Sequence, residues 1–213
     1  MRLHDYRRFI VTPLFALIFL SACSEQNGLN PLRPDSLILA FGDSLTYGTG
    51  AAPDDSYPSS LEKITGLTVI NAGIPGEVSA EGLRRLPDQL KKHRPDLVII
   101  CHGGNDILRK LPFEQVEKNL RAMITLSREA GADVVLVAVP KFGLWKSSPD
   151  FYIRVANDLK VPMEQSILPT LEFDPAMKSD AIHFNKPGYR KFAEALTHLL
   201  KNHGALNLIK LPN

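Results

Sequence analysis

Short apolar runs alternate with amphipathic stretches along most of the chain. The apolar runs predict strands at residues 36–41, 68–71, 97–101 and 134–139, with a weaker fifth strand at 161–163. Between them, apolar residues recur at helical spacing and predict helices over 57–65, 79–94, 113–130 and 187–202. Pro87 falls inside the second helix, where a proline removes a hydrogen bond, so a kink or a break is expected there.

The predicted strands are apolar along their whole length, which is typical of strands that are buried on both faces. Helices between such strands form β-α-β crossovers and give a mainly parallel sheet. The pattern therefore predicts one three-layer α/β domain over residues 36–201, followed by a C-terminal tail at 202–213. In sheets of this kind, ligands bind beyond the carboxyl ends of the strands.

The N-terminus has a different character. Residues 1–8 are basic and polar, and residues 9–22 are almost wholly apolar, a stretch too short to span a bilayer but typical of a secretory signal. It ends in Leu20-Ser21-Ala22-Cys23, which resembles a bacterial lipobox, in which the cysteine is acylated and becomes the mature N-terminus. We therefore expect a lipoprotein signal peptide at 1–22 and a polar tether at 23–35. An uncleaved anchor and a plain signal peptide with a chance cysteine are the alternatives.

Charge and cysteine content narrow the function classes. The chain has a formal net charge of +2, and the signal segment carries all of it, which leaves 22 basic and 22 acidic groups in the remaining 191 residues. This balance argues against nucleic acid as a partner. The two cysteines show no Cys-x-x-Cys or Cys/His spacing, so no metal site is predicted. Cys101 ends an apolar run and is interpreted as a small buried apolar residue.

Four polar or glycine-rich segments coincide with the expected ligand edge: 42–44, 71–76, 103–106 and 180–183. Ser44 follows the first strand, and a serine hydroxyl becomes a nucleophile only when a base takes its proton. His183 is the candidate base, because Asp180 three residues earlier can reach its Nδ1 and leave Nε2 facing Ser44. Taken alone, an Asp-x-x-His pair is also common on protein surfaces.

Attack on a carbonyl creates an oxyanion, which needs two or three hydrogen-bond donors aimed at it. The candidates are the backbone N–H of Ser44, the backbone of Gly76, where glycine allows a close approach, and the side-chain amide of Asn105. Each of these residues has an ordinary alternative role in a turn. Together, the four segments supply the parts of an acyl-transfer site.

The segments FGDSLT, NAGIPG, GGND and DAIH resemble the four sequence blocks of the SGNH, or GDSL, hydrolase family, over about residues 36–201. The chain resembles most the bacterial branch that contains thioesterase I/lysophospholipase L1 and related arylesterases. The resemblance implies a three-layer, flavodoxin-like fold with a mainly parallel five-stranded sheet, and catalysis without a cofactor or metal. It also implies a triad of Ser44, Asp180 and His183, with an oxyanion hole formed by the Ser44 N–H, Gly76 and Asn105.

Three features depart from common hydrolase patterns. Residues 42–46 read G-D-S-L-T rather than G-x-S-x-G, so a tight nucleophile elbow is not predicted. Pro75 precedes Gly76, where many relatives have a small polar residue, and it could stiffen the oxyanion hole. His102 precedes the Gly-Gly-Asn segment, and it could either line the pocket or be a structural histidine.

The sequence therefore favours a serine esterase that hydrolyses acyl or aryl carboxylic esters, with lysophospholipids and thioesters as further substrate classes. An O-acetylesterase acting on cell-wall or other polysaccharide, and a non-catalytic binding lipoprotein, are the alternatives. Dinucleotide binding is disfavoured, because Pro53 stands where a third glycine is needed. The apolar loop at 142–145 is a candidate contact for the substrate's acyl or aryl group.

The expected partners are a small-molecule or lipid ester and the membrane, through lipidated Cys23, and a monomer is favoured. Ser24 follows the cysteine and is not an acidic retention signal. By resemblance to Gram-negative lipoproteins, we therefore expect the outer membrane, on its periplasmic side.

Overall fold

The structure is a computed structural model that describes residues 28–141 and 147–206. Five strands form one sheet: β1 (Leu37–Gly42), β2 (Thr68–Gly73), β3 (Leu97–Cys101), β4 (Asp133–Val137) and β5 (Met163–Glu164). Their order is β2-β1-β3-β4-β5, and every neighbouring pair is parallel. The prediction of an α/β fold with a parallel five-stranded sheet is confirmed.

Eight helices connect and follow these strands in the described part of the chain: α1 (Ser44–Tyr47), α2 (Tyr57–Thr65), α3 (Ser79–His93), α4 (Gly104–Leu108), α5 (Phe113–Glu129), α6 (Phe151–Asp158), α7 (Ile167–Glu172) and α8 (Lys186–Asn202). Helix α2 packs against α8, while α3 packs against α5 and α5 against α6. β1 and β3 are buried almost throughout, and β4 is buried after its first residue, so the core lies along the centre of the sheet.

The structure differs from the sequence-based prediction in two ways. Four short helices, α1, α4, α6 and α7, were not predicted, because segments of four to eight residues are too short to show a helical period. Helix α3 continues through Pro87 without a break. Leu86 and Leu90 on its buried face pack into the core, and this packing maintains the helix where one hydrogen bond is lost.

Part of the segment that was predicted as a tether packs against the domain. The backbone N–H of Leu29 donates to the carbonyl of His203 at 2.8 Å, and that of Leu32 donates to the carbonyl of Ala205 at 2.8 Å. Both leucine side chains are buried. The N–H of Asn30 also donates to the carboxylate of Asp133, the first residue of β4, at 2.6 Å. The N-terminal segment thus attaches at the amino-terminal edge of the sheet. Within the described residues, no helix is long and apolar enough to cross a bilayer.

The order of the strands determines where a ligand can bind. The connection that leaves β1 runs to one side, to β2, and the next connection returns across β1 to β3. Such a reversal opens a crevice at the carboxyl ends of the strands on either side of it. Ser44 follows β1, and Asn105 lies just after β3, so both are at this crevice.

Candidate active site

Ser44 is the first residue of the short helix α1, directly beyond the end of β1. Asp43 caps this helix, since its carboxylate accepts a hydrogen bond from the N–H of Leu45 at 3.1 Å. Gly42 lies so close to Cys101 and to Thr46 that a Cβ there would overlap the Cys101 carbonyl and the threonine hydroxyl. This close packing places the serine at the rim of the sheet on a capped helix, and a G-x-S-x-G elbow is not needed.

The three residues predicted as a triad lie in one hydrogen-bonded chain. Nε2 of His183 is 3.0 Å from Oγ of Ser44, and Nδ1 of His183 is 2.8 Å from Oδ2 of Asp180. A carboxylate oxygen can only accept, so Nδ1 carries the proton and Nε2 is the acceptor that faces the serine hydroxyl. The imidazole is therefore held in the tautomer that a general base requires.

Asp180 is fixed by its own backbone. Its Oδ1 accepts from the N–H groups of Ile182 and His183, both at 2.8 Å. Burial raises the pKa of the Asp180 carboxyl, but those two N–H groups and the imidazole outweigh burial and lower the pKa to about 2. The carboxylate is thus negatively charged at neutral pH, where it stabilises an imidazolium.

Two of the predicted oxyanion donors are backbone N–H groups that are not used elsewhere in the described part of the chain. Within the described residues, the N–H groups of Ser44 and Gly76 donate to no protein acceptor. Gly76 has a φ of +80°, which favours glycine, and its carbonyl accepts from Arg109 at 2.7 Å. These N–H groups are available to an oxyanion without rearrangement of a protein hydrogen bond.

The side-chain amide of Asn105 is already engaged. Its Nδ2 donates to Oδ2 of Asp43 at 3.2 Å and to the carbonyl of Glu77 at 3.0 Å. An amide nitrogen has two hydrogens, so an oxyanion has to share one of them. These contacts connect the ends of β1 and β3 and the loop after β2 at a single side chain.

A buried network supports these loops from below. The carboxylate of Asp106 accepts from the N–H of Ser79 at 2.8 Å and from its hydroxyl at 2.7 Å. The serine Oγ accepts in turn from the Asn119 amide at 2.9 Å. This network connects the first turn of α4, which contains Asn105, to the start of α3, which follows the loop around Gly76. It therefore fixes Asn105 and that loop relative to each other.

The sequence segments that form this site match a known protein family. The model of the GDSL-like Lipase/Acylhydrolase family matches residues 40–191, which include all four segments around the crevice. The chain belongs to this family. It is 34% identical over 177 residues to an arylesterase from Vibrio mimicus, a match that covers 78% of this chain and 88% of the relative.

Other relatives agree with this family assignment. Over 157 residues the chain is 32% identical to thioesterase 1/protease 1/lysophospholipase L1 of Escherichia coli K12, covering 70% of this chain and 76% of the relative. The crystal structure of TesA aligns with a TM-score of 0.71 at 29% identity, covering 78% of this chain and 99% of that one. A more distant relative in Bacillus subtilis, 28% identical over 145 residues and covering 62% of this chain and 56% of the relative, is named a lipoprotein. This GDSL family member is accordingly a serine ester hydrolase.

The cleft of this GDSL hydrolase is shallow at the nucleophile. A cavity of only about 10 Å³ lies over Ser44, lined among others by Leu108 and Ile182. A larger depression of about 260 Å³ lies one turn along α1, beside Tyr47 and Asn71. The predicted substrate loop at 142–145 lies outside the described residues.

Two residues near the site are buried away from the cleft. His102 is fully buried, and its Nε2 lies 3.1 Å from Oε2 of Glu77, so it does not line the pocket. Cys101 is a buried free thiol, and burial raises its pKa well above the ordinary value. Within residues 28–141 and 147–206, no group of three or more His, Cys, Asp or Glu side chains is placed to hold a metal ion.

Sequence reasoning did not find the buried ion cluster of Glu77, Arg85 and His102 behind the loop at Gly76. The glutamate is 8 residues from the arginine and 25 residues from the histidine. The one available signal was the polar His102 at the end of an apolar strand, which needs a buried partner.

Proposed function

We propose that the protein hydrolyses carboxylic esters through an acyl-enzyme on Ser44, with His183 as general base and acid and Asp180 as its orienting carboxylate. The observation that carries the proposal is the unbroken chain from the serine Oγ to His183 Nε2 at 3.0 Å and from His183 Nδ1 to the Asp180 carboxylate at 2.8 Å. The N–H groups of Ser44 and Gly76 have no acceptor among the described residues, so they are free to serve as the backbone donors that acyl transfer needs.

In the first half-reaction, Oγ of Ser44 attacks the ester carbonyl carbon while Nε2 of His183 takes the hydroxyl proton. The carbonyl oxygen becomes an oxyanion and accepts from the N–H groups of Ser44 and Gly76 and from the Asn105 amide. When the carbonyl re-forms, the bond to the alkoxy oxygen breaks and His183 returns the proton to the departing alcohol. The acyl group remains on Ser44.

In the second half-reaction, water attacks the acyl carbonyl and His183 takes one of its protons. The tetrahedral intermediate collapses, the bond to Oγ breaks, and His183 returns the proton to the serine. The carboxylic acid leaves and the enzyme is restored. Because Asp180 remains ionised, it stabilises the imidazolium in both half-reactions without accepting the proton.

We infer that the preferred substrates carry a short acyl or an aryl group. The space directly over Ser44 is small, about 10 Å³, and it suits a small acyl group. Leu108, which lines this space, is 44% exposed, so a longer group in contact with it lies at the surface. The depression beside Tyr47 gives the alcohol or aryl part a separate place. The arylesterase named among the relatives is consistent with an aryl substrate.

Two experiments test this proposal. Ser44→Ala is expected to lower kcat for p-nitrophenyl acetate by at least about 10⁴-fold and to abolish labelling by a fluorophosphonate, with the fold intact by circular dichroism. Ser60→Ala, a serine of α2, is the matched control. Retention of activity within about tenfold of wild type rejects Ser44 as the nucleophile.

A substrate panel then tests the acyl preference. It contains p-nitrophenyl esters from acetate to palmitate, phenyl acetate, a thioester, a lysophospholipid and an O-acetylated glycan. We expect kcat/KM to be highest for the short acyl and aryl esters. A maximum at palmitate or at the lysophospholipid contradicts the inferred preference, and a maximum at the glycan supports the O-acetylesterase alternative.

We also propose that Cys23 is lipidated and holds the enzyme in the bacterial envelope, with the outer membrane favoured. The support is the Leu20-Ser21-Ala22-Cys23 sequence after a short apolar stretch. Cys23→Ser should lose palmitate incorporation and yield a form that is unprocessed or soluble, with its hydrolase activity kept. An unlabelled wild-type protein in the soluble periplasmic fraction contradicts lipidation without affecting the hydrolase proposal.

A further inference from the structure

A nearly buried carboxylate lies directly behind the oxyanion loop. Both carboxylate oxygens of Glu77 accept from the Arg85 guanidinium, at 2.6 Å from Nε and 2.7 Å from Nη2. Nε2 of His102 lies 3.1 Å from the same carboxylate and must be the donor. Burial raises the pKa of Glu77, but the hydrogen bonds from His102 and Arg85 outweigh it and lower the pKa below the ordinary value. Glu77 is therefore a held anion that the hydrolytic steps do not use.

Arg85 binds the strand ends as well as the carboxylate. Its Nη2 donates to the carbonyl of Ala72 at 2.8 Å and to that of Gly42 at 3.2 Å, and its guanidinium lies 4.1 Å from the centre of the Phe41 ring. Gly42 is two residues before Ser44. One side chain thus fixes the distance between the nucleophile's strand and the loop that contains Gly76 and Glu77.

His102 completes the connection from the third strand. It follows β3 and precedes Asn105 by three residues. Its ring packs so closely on Gly82 of α3 that a Cβ there would overlap it, and its carbonyl accepts from the Tyr152 hydroxyl at 2.7 Å. The histidine is therefore closely packed on both sides, and it presents Nε2 to Glu77 from the end of the strand that precedes the Asn105 turn.

The backbone of Glu77 contacts the oxyanion donors directly. Its carbonyl accepts from Nδ2 of Asn105 at 3.0 Å, and Gly76 is its preceding residue. We propose that Glu77, held by Arg85 and His102, is a positioning residue that aims the Gly76 N–H and the Asn105 amide at the transition state. This inference rests on the hydrolase mechanism proposed above and adds a function for three residues outside the triad.

A double-mutant cycle tests the proposal, because a residue that acts partly through Asn105 has a smaller effect when Asn105 is absent. Glu77→Gln should lower kcat for p-nitrophenyl acetate by about 10- to 100-fold with KM changed by less than about threefold. In an Asn105→Ala background, where only the Gly76 N–H remains to be positioned, the same substitution should lower kcat by a factor at least about threefold smaller than in the wild-type background. Arg85→Lys, which keeps the charge but not the fork of donors, is the second variant if Glu77→Gln is insoluble.

The matched control is Glu117→Gln on α5. That carboxylate is also held by two arginines, at 2.8 Å from Arg121 and 2.6 Å from Arg154, but it does not contact the oxyanion loop. We expect its kcat to be unchanged. The inference is overturned if Glu77→Gln lowers kcat equally in both backgrounds or changes KM alone. It is also overturned if kcat is unchanged in both Glu77→Gln and Arg85→Lys. An active Ser44→Ala variant would instead reject the proposed mechanism itself.

A second inference comes from the place where the N-terminal segment attaches. Asn30 donates to Asp133 at the start of β4, and Leu37 donates to Asp96, which immediately precedes β3, at 2.9 Å. Ser44 lies at the other end of β1. Strands of five or six residues separate these two edges by about 17–20 Å.

The chain between Cys23 and Gly28 is short, so an anchor at Cys23 keeps the attachment edge of the domain close to the bilayer. Five residue steps span at most about 18 Å when fully extended. We infer that the lipid-anchored enzyme presents its active site away from its own bilayer and acts on esters in the aqueous space rather than on lipids of that leaflet. This inference rests on the proposed lipidation of Cys23 and on no feature of the catalytic mechanism.

Energy transfer to acceptor lipids in vesicles tests this orientation. A donor dye is placed on the lipidated full-length chain through Lys201→Cys, near the attachment edge, or through Lys110→Cys, near the active site; buried Cys101 should remain unlabelled. Transfer from position 201 should exceed transfer from position 110. Equal or reversed transfer overturns the inference. If the full-length chain does not bind vesicles, the proposed lipid anchor is wrong and this inference fails with it. The hydrolase proposal is then unaffected.

Discussion

The contribution of Asn105 is the most direct test of the site. Its amide is proposed to donate to the oxyanion, yet Nδ2 already contacts Asp43 at 3.2 Å and Glu77 at 3.0 Å. Asn105→Ala removes this donor and leaves the backbone N–H groups of Ser44 and Gly76 in place. The substitution therefore separates one of three donors from the rest of the mechanism.

The expected loss of kcat in Asn105→Ala follows from the hydrogen bonds that the Asn105 amide makes. One lost oxyanion donor costs about 2.7–4 kcal/mol of transition-state stabilisation, which corresponds to about 10²–10³ in kcat. Because the oxyanion has to share an amide that two protein oxygens already use, we expect the lower end, about 10²-fold. The loss of the same two hydrogen bonds should lower the free energy of unfolding by roughly 1–3 kcal/mol, which leaves the enzyme folded at 25 °C.

The assay is steady-state hydrolysis of p-nitrophenyl acetate, with kcat and KM determined separately and the active sites counted by a fluorophosphonate. Ser127→Ala is the matched control, since this buried hydroxyl of α5 donates to the Met123 carbonyl of the same helix at 2.8 Å and contacts none of the site residues. We expect its kcat to stay within about threefold of wild type, whatever its stability.

Two outcomes would refute the reasoning on Asn105. A kcat within about threefold of wild type means that the backbone donors are sufficient and that the amide is purely structural. A change confined to KM means that Asn105 binds the ground state and the transition state equally, so that it is a substrate-binding residue.

Three further predictions follow from the structure. Because the pKa of Asp180 is lowered to about 2, it stays ionised above about pH 4, so protonation of Asp180 should contribute nothing to the pH dependence of kcat/KM between pH 4 and 8; a slope of two in log kcat/KM against pH over that range would contradict this. Burial raises the pKa of Asp43 above its ordinary value of 3.8, so stability is lost as pH rises from about 4; Asp43→Asn should therefore raise Tm relative to wild type more at pH 8 than at pH 4, while lowering kcat because Asn105 loses an acceptor. A lower Tm for Asp43→Asn at pH 8 would reject this reasoning. A chain that starts at Arg33 lacks the buried residues Leu29 and Leu32, whereas a chain that starts at Gly28 retains them. Urea denaturation should show that the shorter chain has lost roughly 3 kcal/mol of unfolding free energy. Its kcat should be unchanged, because both leucines lie at the opposite edge of the sheet from Ser44.

The fold was predictable where one pattern extended over enough residues. β1 and β3 are apolar throughout, and α2, α5 and α8 each show a helical period together with an end signal such as Gly66 or Pro187. β5 was harder to place, because it is two residues long and pairs with β4 only at Met163 and Glu164. A strand so short owes its position to its neighbour and carries almost no signal of its own.

The site was predictable where chemistry is local in sequence. Asp180 and His183 are three residues apart, and Ser44 follows a strand whose end had to face the crevice. The supports could not be predicted in this way. Ser79 and Asp106 meet across 27 residues, and each has an ordinary alternative as a helix-terminal or turn residue. Only the tertiary fold brings such partners together.

Stability alone does not explain the cluster behind the oxyanion loop. Burying a charged glutamate, an arginine and a histidine requires their desolvation, and apolar side chains of similar volume often fill such a space at no loss of stability. A fold selected only for stability would have no need of Glu77 there. Apolar side chains cannot donate hydrogen bonds to the carbonyls of Gly42 and Ala72, as Arg85 does. They also cannot fix the backbone of Glu77, whose carbonyl accepts from Asn105. The directional bonds of Arg85 are therefore best explained by the placement of the oxyanion donors, which has to be accurate to a fraction of an ångström for a charge that exists only in the transition state.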